Sequence, residues 1–341
     1  MRKRQLGKDG PEVSVICLGA WPLGGGMGLI SDKQAIETIH ASIDAGANFI
    51  DTAEGYRTSE SILGKALQGR RDDVILATKL SGDHSLEHMN SAIENSLRAL
   101  NTDYIDLYQL HRPRPETPIE DTITNLEKQR DAGKIRYIGV SNFSGKQHRE
   151  AAQHGVIHSS QPRYNMLHRQ PEIDVLPACL DLGIGIIPHS SLAKGILTGN
   201  YRPGYMFPDD DERGEKREFQ DDVLNFAMPV VEKLLEWAGD HGKEGAQLAI
   251  AWLLAQPTVT SCIVGAKTPE QAIYNAAASE WIISENDMRE KAKAATRQLA
   301  KRQMTSLRSW RAGAKTIIEV ADSLPIDKAK NWLSGELDRV L

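Results

Sequence analysis

The sequence predicts an α/β fold, a parallel (β/α)8 barrel (TIM barrel) followed by a helical C-terminal extension. Three observations predict it. Short β-rich runs alternate with amphipathic helical stretches through most of the 341 residues. The β-rich runs number about eight, as a closed parallel barrel requires. Polar side chains follow one apolar run after another, as expected where strand ends form the active-site face of a barrel.

The predicted strands are short and mostly apolar. In chain order they are VSVICLG (13–19), ANFID (47–51), VILATK (74–79), YIDLYQLH (104–111), IRYIGVS (135–141), IHSSQ (157–161), IGIIPH (184–189) and SCIVG (261–265). Between them, apolar residues recur every three or four positions, which predicts helices that cover a sheet with one face. Such stripes are Ile36, Ile39 and Ile43; Met89, Ile93, Leu97 and Leu100; and Ile119, Ile123 and Leu126.

The regular spacing changes after the seventh strand. Residues 200–222 are rich in Pro, Gly and charge, which predicts a long loop. Helices are predicted at about 227–239 and 246–255, before the eighth strand. We therefore assign residues 1–301 to the barrel and residues 302–341 to a helical extension packed on or near it.

Composition excludes several classes of protein. The 41 Lys plus Arg against 46 Asp plus Glu give a net charge of -5, which offers no field for nucleic acid or anionic lipid. No apolar run reaches the roughly 18 residues of a spanning helix, and the N-terminus lacks the apolar segment of a signal peptide. We expect a cytoplasmic protein. Its three cysteines are far apart in sequence, so we expect reduced thiols and no metal site.

Polar residues stand at the carboxyl ends of six predicted strands: Asp51, Lys79, His111, Ser141 with Asn142, Gln161, and His189. In a parallel barrel these ends converge on one face. Together with Tyr56, the side chains of Asp51, Lys79 and His111 are suited to protonating an oxyanion. A phenol, whose ordinary pKa is about 10, needs a nearby cation such as Lys79 to lower that pKa. Asp51 would pair with the buried lysine, and His111 would orient a carbonyl oxygen. The alternative is a buried Asp–Lys pair with an unrelated Tyr and His.

Five motifs resemble the aldo-keto reductase superfamily: DTAEGY (51–56), the strand ending in Lys79, QLHRP (109–113), GVSNF (139–143) and QPRYN (161–165). The resemblance extends from about residue 3 to about residue 300. The phrases RYIGVSNFS and GILTGNY are most similar to the branch with bacterial general-stress oxidoreductases and potassium-channel β-subunits. The resemblance implies a barrel that binds an extended nicotinamide cofactor. It also implies that Tyr56 is the general acid and base, that Lys79 and Asp51 tune the pKa of Tyr56, and that His111 orients the substrate.

The same resemblance implies the cofactor contacts. At the nicotinamide and its ribose these are Gly19, Ala20, Trp21, Asp51, Ser141, Asn142, Gln161 and His189. At the pyrophosphate they are Ser190, Leu192, Ala193 and Gly195, and at the adenosine end Gly265, Ala266, Lys267, Gln271 and Asn275. Lys267 could neutralise a 2′-phosphate, which favours NADP(H), with NAD(H) as the alternative. Relatives usually carry an aromatic residue at His189 and often an Arg near Thr268, so the chain departs from the pattern at both positions.

Three other motifs offer rival interpretations. LGGGMG (23–28) satisfies only the first half of G-x-G-x-x-G, so we interpret it as a mobile loop over the cofactor. His84 and His88 are four apart but lack an obvious third ligand, which indicates solvated histidines at a helix start rather than a metal site. The run DDDE (209–212) lacks the EF-hand spacing, which indicates a hydrated loop.

The predicted activity is that of an NAD(P)H-dependent aldo-keto reductase, an oxidoreductase that interconverts a carbonyl (aldehyde, ketone or sugar) and its alcohol by direct hydride transfer. Substrate contacts are expected at Trp21, Met27, Tyr56, His111 and Arg112. Two alternatives share these residues. One is a sugar or polyol dehydrogenase acting mainly in the oxidative direction, and the other is a cofactor-sensing regulatory subunit with slow turnover. The identity of the small-molecule substrate and the oligomeric state, a homo-oligomer included, stay open.

Overall fold

The computed structural model describes residues 1–283. The chain begins with an antiparallel hairpin of β1 (Lys3–Gln5) and β2 (Glu12–Ser14). Eight parallel strands follow: β3 (Ile16–Gly19), β4 (Phe49–Asp51), β5 (Ile75–Leu80), β6 (Ile105–Leu110), β7 (Ile135–Ser141), β8 (Ser159–Gln161), β9 (Gly185–Ile186) and β10 (Cys262–Gly265). Their order in the sheet is β10-β3-β4-β5-β6-β7-β8-β9.

The two edges of this sheet meet through backbone hydrogen bonds. The Thr260 amide donates to the Ile186 carbonyl at 2.8 Å, and the Ile263 amide donates to the Pro188 carbonyl at 3.1 Å. A parallel bridge also joins Ile186 to Val259. The predicted (β/α)8 barrel is therefore confirmed. The predicted extension at 302–341, and the last part of the 1–301 assignment, lie outside the described residues.

Nine helices surround the barrel within residues 1–283. They are α1 (Asp32–Asp44), α2 (Ser59–Ala66), α3 (Leu86–Leu100), α4 (Ile119–Asp131), α5 (Gly145–Ala151), α6 (Val175–Leu182), α7 (Asp221–Asp240), α8 (Gly245–Leu254) and α9 (Pro269–Ala277). Each amphipathic stripe predicted from the sequence supplies buried residues to the layer between helix and sheet. No helix in the described part of the chain has the length and apolarity to cross a membrane.

The barrel interior is apolar at one end and polar at the other. Its apolar layer holds Leu6 and Val13 of the hairpin and inward residues of several strands, such as Phe49, Ala77 and Leu107. Side chains on one face of a strand recur every two residues. The next inward positions are therefore Asp51, Lys79 and Gln109, and all three are buried. This alternation places polar groups above an apolar floor.

Two regions differ from the sequence prediction. The predicted strand 13–19 is interrupted at Val15, because the Ser14 hydroxyl donates to the Ile16 carbonyl at 2.6 Å and its amide donates to the Asn48 side chain. The residues before the break form β2 of the hairpin, and those after it form β3. Residues 200–220 form a loop, as predicted, but it contains two short 3₁₀ helices, and residues 221 and 222 belong to α7. Four of its aromatic rings pack together: Tyr201, Tyr205, Phe207 and Phe219.

Candidate active site

A buried ion pair lies at the polar end of the barrel. The Lys79 ammonium donates to Asp51 Oδ1 at 2.5 Å and to the Thr52 carbonyl at 2.8 Å. The Lys79 side chain is fully buried, and that of Asp51 is 3% exposed. Burial is the largest influence and lowers the pKa of Lys79, but Asp51 and Tyr56 together raise it by more, so the net shift is upward and the lysine stays charged. The sequence prediction of this pair agrees with the structure.

Two glutamines complete the hydrogen bonding of Asp51. Gln109 Nε2 and Gln161 Nε2 each donate to Asp51 Oδ2 at 2.9 Å, and Gln161 also donates to Gln109 Oε1 at 3.1 Å. Gln109 was not among the predicted site residues. The two-residue repeat of side chains along a strand would have indicated Gln109. It stands two residues before His111, on the same inward face of the strand. The carboxylate is therefore fixed by three donors.

Tyr56 stands beside the ion pair, on the loop after β4. The Lys79 ammonium lies 3.4 Å from its hydroxyl and 4.8 Å from its ring centroid. The sequence predicts that Lys79 lowers the pKa of Tyr56. That expectation is wrong for the net shift, because burial raises the pKa of Tyr56 by more than Lys79 lowers it. The phenol is therefore protonated at neutral pH and can serve as a proton donor.

His111 lies edge-on to Tyr56, with the ring centroids 5.5 Å apart. Burial, together with the charges of Lys79 and Arg112, lowers the pKa of His111 to about 3. The imidazole is therefore neutral at neutral pH and can donate from only one nitrogen. Its Nδ1 lies 3.0 Å from the Ser81 hydroxyl.

A groove of about 560 Å³ leads away from this cluster, within the usual size range of ligand pockets. Sixteen of the predicted residues line it: Gly19, Ala20, Trp21, Met27, Asp51, Tyr56, Gln161, His189, Ser190, Leu192, Gly195, Gly265, Ala266, Lys267, Gln271 and Asn275. The other predicted residues, which are Lys79, His111, Arg112, Ser141, Asn142 and Ala193, do not line it. Lys79 contacts the lining residues Asp51 and Tyr56, His111 contacts Tyr56, and Asn142 contacts His189. Most of the predicted site residues therefore lie along one continuous cleft.

A hydrogen-bond chain links the strand ends expected to face the nicotinamide. Asn142 Nδ2 donates to the His111 carbonyl and to Ser141 Oγ, each at 3.0 Å. Asn142 Oδ1 accepts from His189 Nε2 at 3.1 Å, so the neutral His189 accepts at Nδ1 from Ser190 Oγ at 2.9 Å. Burial holds the pKa of His189 well below 6.5. His189 therefore presents an uncharged ring to the site, as the aromatic residue that relatives usually carry at this position would.

The loop after β9 turns in the left-handed region at four residues: Ser190, Ala193, Lys194 and Gly195, with φ of 55°, 48°, 54° and 108°. Within this loop the Ala193 amide donates to the Ser190 carbonyl at 2.7 Å, and the Gly195 amide donates to the Leu192 carbonyl at 2.9 Å. At Gly195 a Cβ would stand 2.6 Å from the Tyr201 ring, so only glycine fits. The predicted pyrophosphate contacts therefore lie on a tight loop whose backbone lines the groove at Gly195.

Lys267 closes the far end of the groove. Its ammonium donates to the Met27 carbonyl at 2.7 Å, and its backbone amide donates to Gln271 Oε1 at 2.8 Å. Met27 also forms a bridge with Asp211, so two loops meet over the groove at this point.

Several groove residues come from the segment 200–222 and were not predicted. Arg213 is buried; it pairs with Asp211 and donates to Tyr201 Oη at 2.8 Å and to the Lys194 carbonyl at 3.2 Å. Tyr201 and Lys194 line the groove with it. No period in the sequence indicates these residues, because the loop that carries them is shaped by its aromatic cluster.

The three rival motifs have structural roles. In LGGGMG, a Cβ at Gly24 would clash with the Tyr56 carbonyl and one at Gly26 with the Trp21 indole, so these glycines permit close packing beside the groove. In DDDE, Asp211 is buried against Arg213, so the interpretation as a hydrated loop is wrong for that residue.

The interpretation of His84 and His88 as solvated histidines is also wrong. His84 is 2% exposed, and His88 is partly buried and donates from Nε2 to the Ser81 carbonyl. Within residues 1–283, no group of three or more His, Cys, Asp or Glu residues is placed to hold a metal ion.

Comparisons with known proteins agree with this geometry. The sequence model of the Aldo/keto reductase family matches residues 15–295. The chain is 39% identical over 305 residues to the aldo-keto reductase YhdN of Bacillus subtilis (strain 168), covering 85% of this chain and 92% of that protein. It is 34% identical to the NADH-specific methylglyoxal reductase of Escherichia coli (strain K12), covering 87% of this chain and 100% of that protein.

Two further similarities are to a potassium-channel subunit and to a solved dehydrogenase structure. A probable voltage-gated potassium channel subunit beta of Oryza sativa subsp. japonica is 34% identical, with 83% of this chain and 92% of that protein covered. The solved structure of the glycerol dehydrogenase AKR11B4 from Gluconobacter oxydans superposes with a TM-score of 0.77 at 32% identity, covering 88% of this chain and 95% of that one.

Proposed function

Because the chain belongs to the Aldo/keto reductase family, we propose that it interconverts a carbonyl compound and its alcohol with NADP(H), and that Tyr56 is the general acid and base. Membership makes it an oxidoreductase of a family that uses nicotinamide cofactors on small molecules. When bound, the nicotinamide supplies or accepts a hydride. The roles of the individual side chains and the preferred cofactor are the parts proposed here.

The observation that carries the proposal is the contact of Tyr56 with a lysine that must stay charged. The Lys79 ammonium is 3.4 Å from the phenol oxygen and is held by Asp51. As the phenol gives its proton to a developing alkoxide, the phenolate that remains is stabilised by that ammonium. In the oxidative direction the same phenolate takes the proton back. His111 is neutral and supplies a hydrogen bond that orients the carbonyl oxygen.

The groove has the features that an extended dinucleotide needs. Its middle part carries the tight left-handed loop at 193–195, where the missing side chain of Gly195 lets a pyrophosphate approach the backbone. The buried Arg213 lies beside this loop, bonded to the Lys194 carbonyl. At Gly265 a Cβ would meet the Pro22 ring at 2.7 Å, so the cleft there depends on the missing side chain. Asn275 donates to the Gly265 carbonyl at 3.3 Å and fixes the adenosine end.

We favour NADP(H) because of Lys267. Its ammonium is hydrogen-bonded to a neutral carbonyl, that of Met27, at the end of the groove where a 2′-phosphate would lie. A charged hydrogen bond to phosphate would add about 1.5–3 kcal/mol to binding. The similarity to a reductase named NADH-specific makes NAD(H) the alternative that an experiment must distinguish.

The substrate side of the groove combines apolar and cationic groups. Trp21 and Met27 supply apolar surface, and the exposed Arg112 follows His111 directly. This combination favours polar carbonyls such as sugars or hydroxylated ketones. The similarity to a glycerol dehydrogenase favours a second candidate function, oxidation of a polyol, which would use the same groups in reverse.

A fluorescence titration of the protein with NADPH and with NADH tests the cofactor assignment. NADPH should quench the tryptophans at lower concentration than NADH. The preferred cofactor is then followed by its absorbance with a panel of aldehydes, ketones and sugars, and its oxidised form with polyols. Binding of neither cofactor would refute the proposal, and binding without turnover of any carbonyl or alcohol would refute the enzymatic part.

A further inference from the structure

Ser81 stands directly after β5 and contacts the proposed substrate-orienting histidine. Its hydroxyl lies 3.0 Å from His111 Nδ1. Nothing in the sequence analysis assigned a role to this serine. The contact matters because a neutral imidazole carries its proton on one nitrogen only, and the partner of the other nitrogen decides which.

Two hydrogen bonds and the turn at Gly82 fix the position of Ser81. Its amide donates to Glu54 Oε1 at 2.5 Å, on the same loop as Tyr56. Its carbonyl accepts from His88 Nε2 at 3.1 Å. Gly82, with φ of 91°, brings the chain close to the His88 ring, and a Cβ there would lie 3.5 Å from Nε2. The backbone of Ser81 is therefore held on both sides, and its hydroxyl is directed at His111 by contacts that do not involve the hydroxyl.

The direction of the hydroxyl hydrogen bond follows from the available partners. A serine hydroxyl can donate or accept, and an imidazole Nδ1 can do either according to its tautomer. Within residues 1–283 the recorded hydrogen bond of the Ser81 hydroxyl is the one to His111 Nδ1. If Nδ1 carried the proton, the hydroxyl would be left without an acceptor in a partly buried position, which costs free energy. The favoured arrangement has the hydroxyl donating to Nδ1 and the proton on Nε2.

We propose that Ser81 is a positioning residue that holds His111 in the Nε2–H tautomer, so that the Nε2–H group is available to a substrate carbonyl oxygen. His88 and Glu54 contribute indirectly, because their hydrogen bonds hold the backbone of Ser81. This inference rests on the proposed function, because that function requires the His111 Nε2–H group to donate to a substrate carbonyl oxygen. It also gives a role to His88, whose motif HSLEH completes no metal-binding group within residues 1–283.

The direct test is the tautomer of His111, read by ¹⁵N NMR of histidine-labelled protein at pH 7.5. The protein has ten histidines, and a His111→Asn variant identifies the signals that belong to His111. The wild type should show the proton on Nε2. Ser81→Ala removes the hydroxyl and leaves both backbone hydrogen bonds, so the variant should fold and the Nδ1–H population of His111 should rise. Ser81→Thr keeps the hydroxyl and should restore the wild-type signals.

A matched control is Ser91→Ala, because the Ser91 hydroxyl is exposed and donates within its own helix, to the Glu87 carbonyl. It should leave the His111 signals unchanged. A wild-type signal with the proton on Nδ1, or a Ser81→Ala signal identical to the wild type, would overturn the proposal. Neither readout depends on turnover, so this result is independent of whether the carbonyl chemistry is correct.

Kinetics then test the link to the reaction. Ser81→Ala should lower kcat/KM about tenfold, which corresponds to about 1.4 kcal/mol. The cofactor dissociation constant should not change, and Ser81→Thr should recover most of the loss. A tautomer shift with unchanged kcat/KM would overturn the assigned task of Ser81 in catalysis. Absence of carbonyl turnover in the wild type would instead refute the proposed function and leave the tautomer result standing.

Discussion

Replacing Asp51 by Asn should destabilise the fold and abolish the chemistry together. The Asp51 side chain is 3% exposed and faces a lysine that is fully buried. Its carboxylate accepts from Lys79, Gln109 and Gln161. The amide would leave the ammonium without its counter-charge and would turn one NH₂ group toward donors. Removal of one partner of a buried ion pair costs about 3–5 kcal/mol.

The assay is urea unfolding followed by far-UV circular dichroism at pH 7.5. The matched control is Asp181→Asn, because Asp181 pairs with Arg149 on the surface and its side chain is 59% exposed. An exposed pair contributes less than about 1 kcal/mol. The double variant Asp51→Asn/Lys79→Met should recover part of the loss, since no unpaired charge remains. A loss for Asp51→Asn no larger than that of the control would refute the reasoning.

Three further predictions concern the groove and a buried histidine. Lys267→Ala should weaken NADPH binding roughly 10- to 100-fold and leave NADH binding nearly unchanged in the fluorescence titration. The control Lys33→Ala, on the exposed face of α1, should change the binding of neither cofactor. Gly195→Ala forces a Cβ into a tyrosine ring at φ 108° and should lower cofactor affinity at least about tenfold, while Gly239→Ala, with nothing within 4 Å, should not. Burial lowers the pKa of His84 to about 4. The unfolded chain, with a pKa of about 6.5, therefore binds more protons as the pH falls, and stability is lost by up to about 1.4 kcal/mol per pH unit between about pH 6.5 and 4. His84→Gln should lose less stability than the wild type between pH 7.5 and 5 in urea titrations, and an equal loss in both proteins would contradict this assignment.

The sequence predicted the parts of the site that follow from strand periodicity. Asp51, Lys79 and His111 each end an apolar run, and parallel strands bring such ends together. Gln109 obeys the same period but was missed, because it lies inside the strand rather than at its end. The split of the first strand at Val15 depends on hydrogen bonds of Ser14 and Asn48 that no period encodes.

The remaining differences come from tertiary structure. The direction of the Tyr56 pKa shift is set by the balance between burial and the charge of Lys79, and only the folded site fixes that balance. Arg213 reaches the groove because the loop 200–222 folds around its own aromatic cluster. His84 and His88 were interpreted as solvated helix-start histidines because no third metal ligand accompanies them, yet the fold buries His84.

The central claim is that Tyr56 transfers the proton while cofactor binding depends on other residues. Tyr56→Phe tests it most directly, with kcat and the cofactor dissociation constant measured on the same preparation. General acid–base catalysis contributes roughly 10²–10⁴-fold, so kcat should fall by that factor while the dissociation constant stays within about twofold. Tyr104→Phe is the control, because the exposed Tyr104 hydroxyl bonds to Asp72 on the surface. Undiminished turnover in Tyr56→Phe would contradict the account.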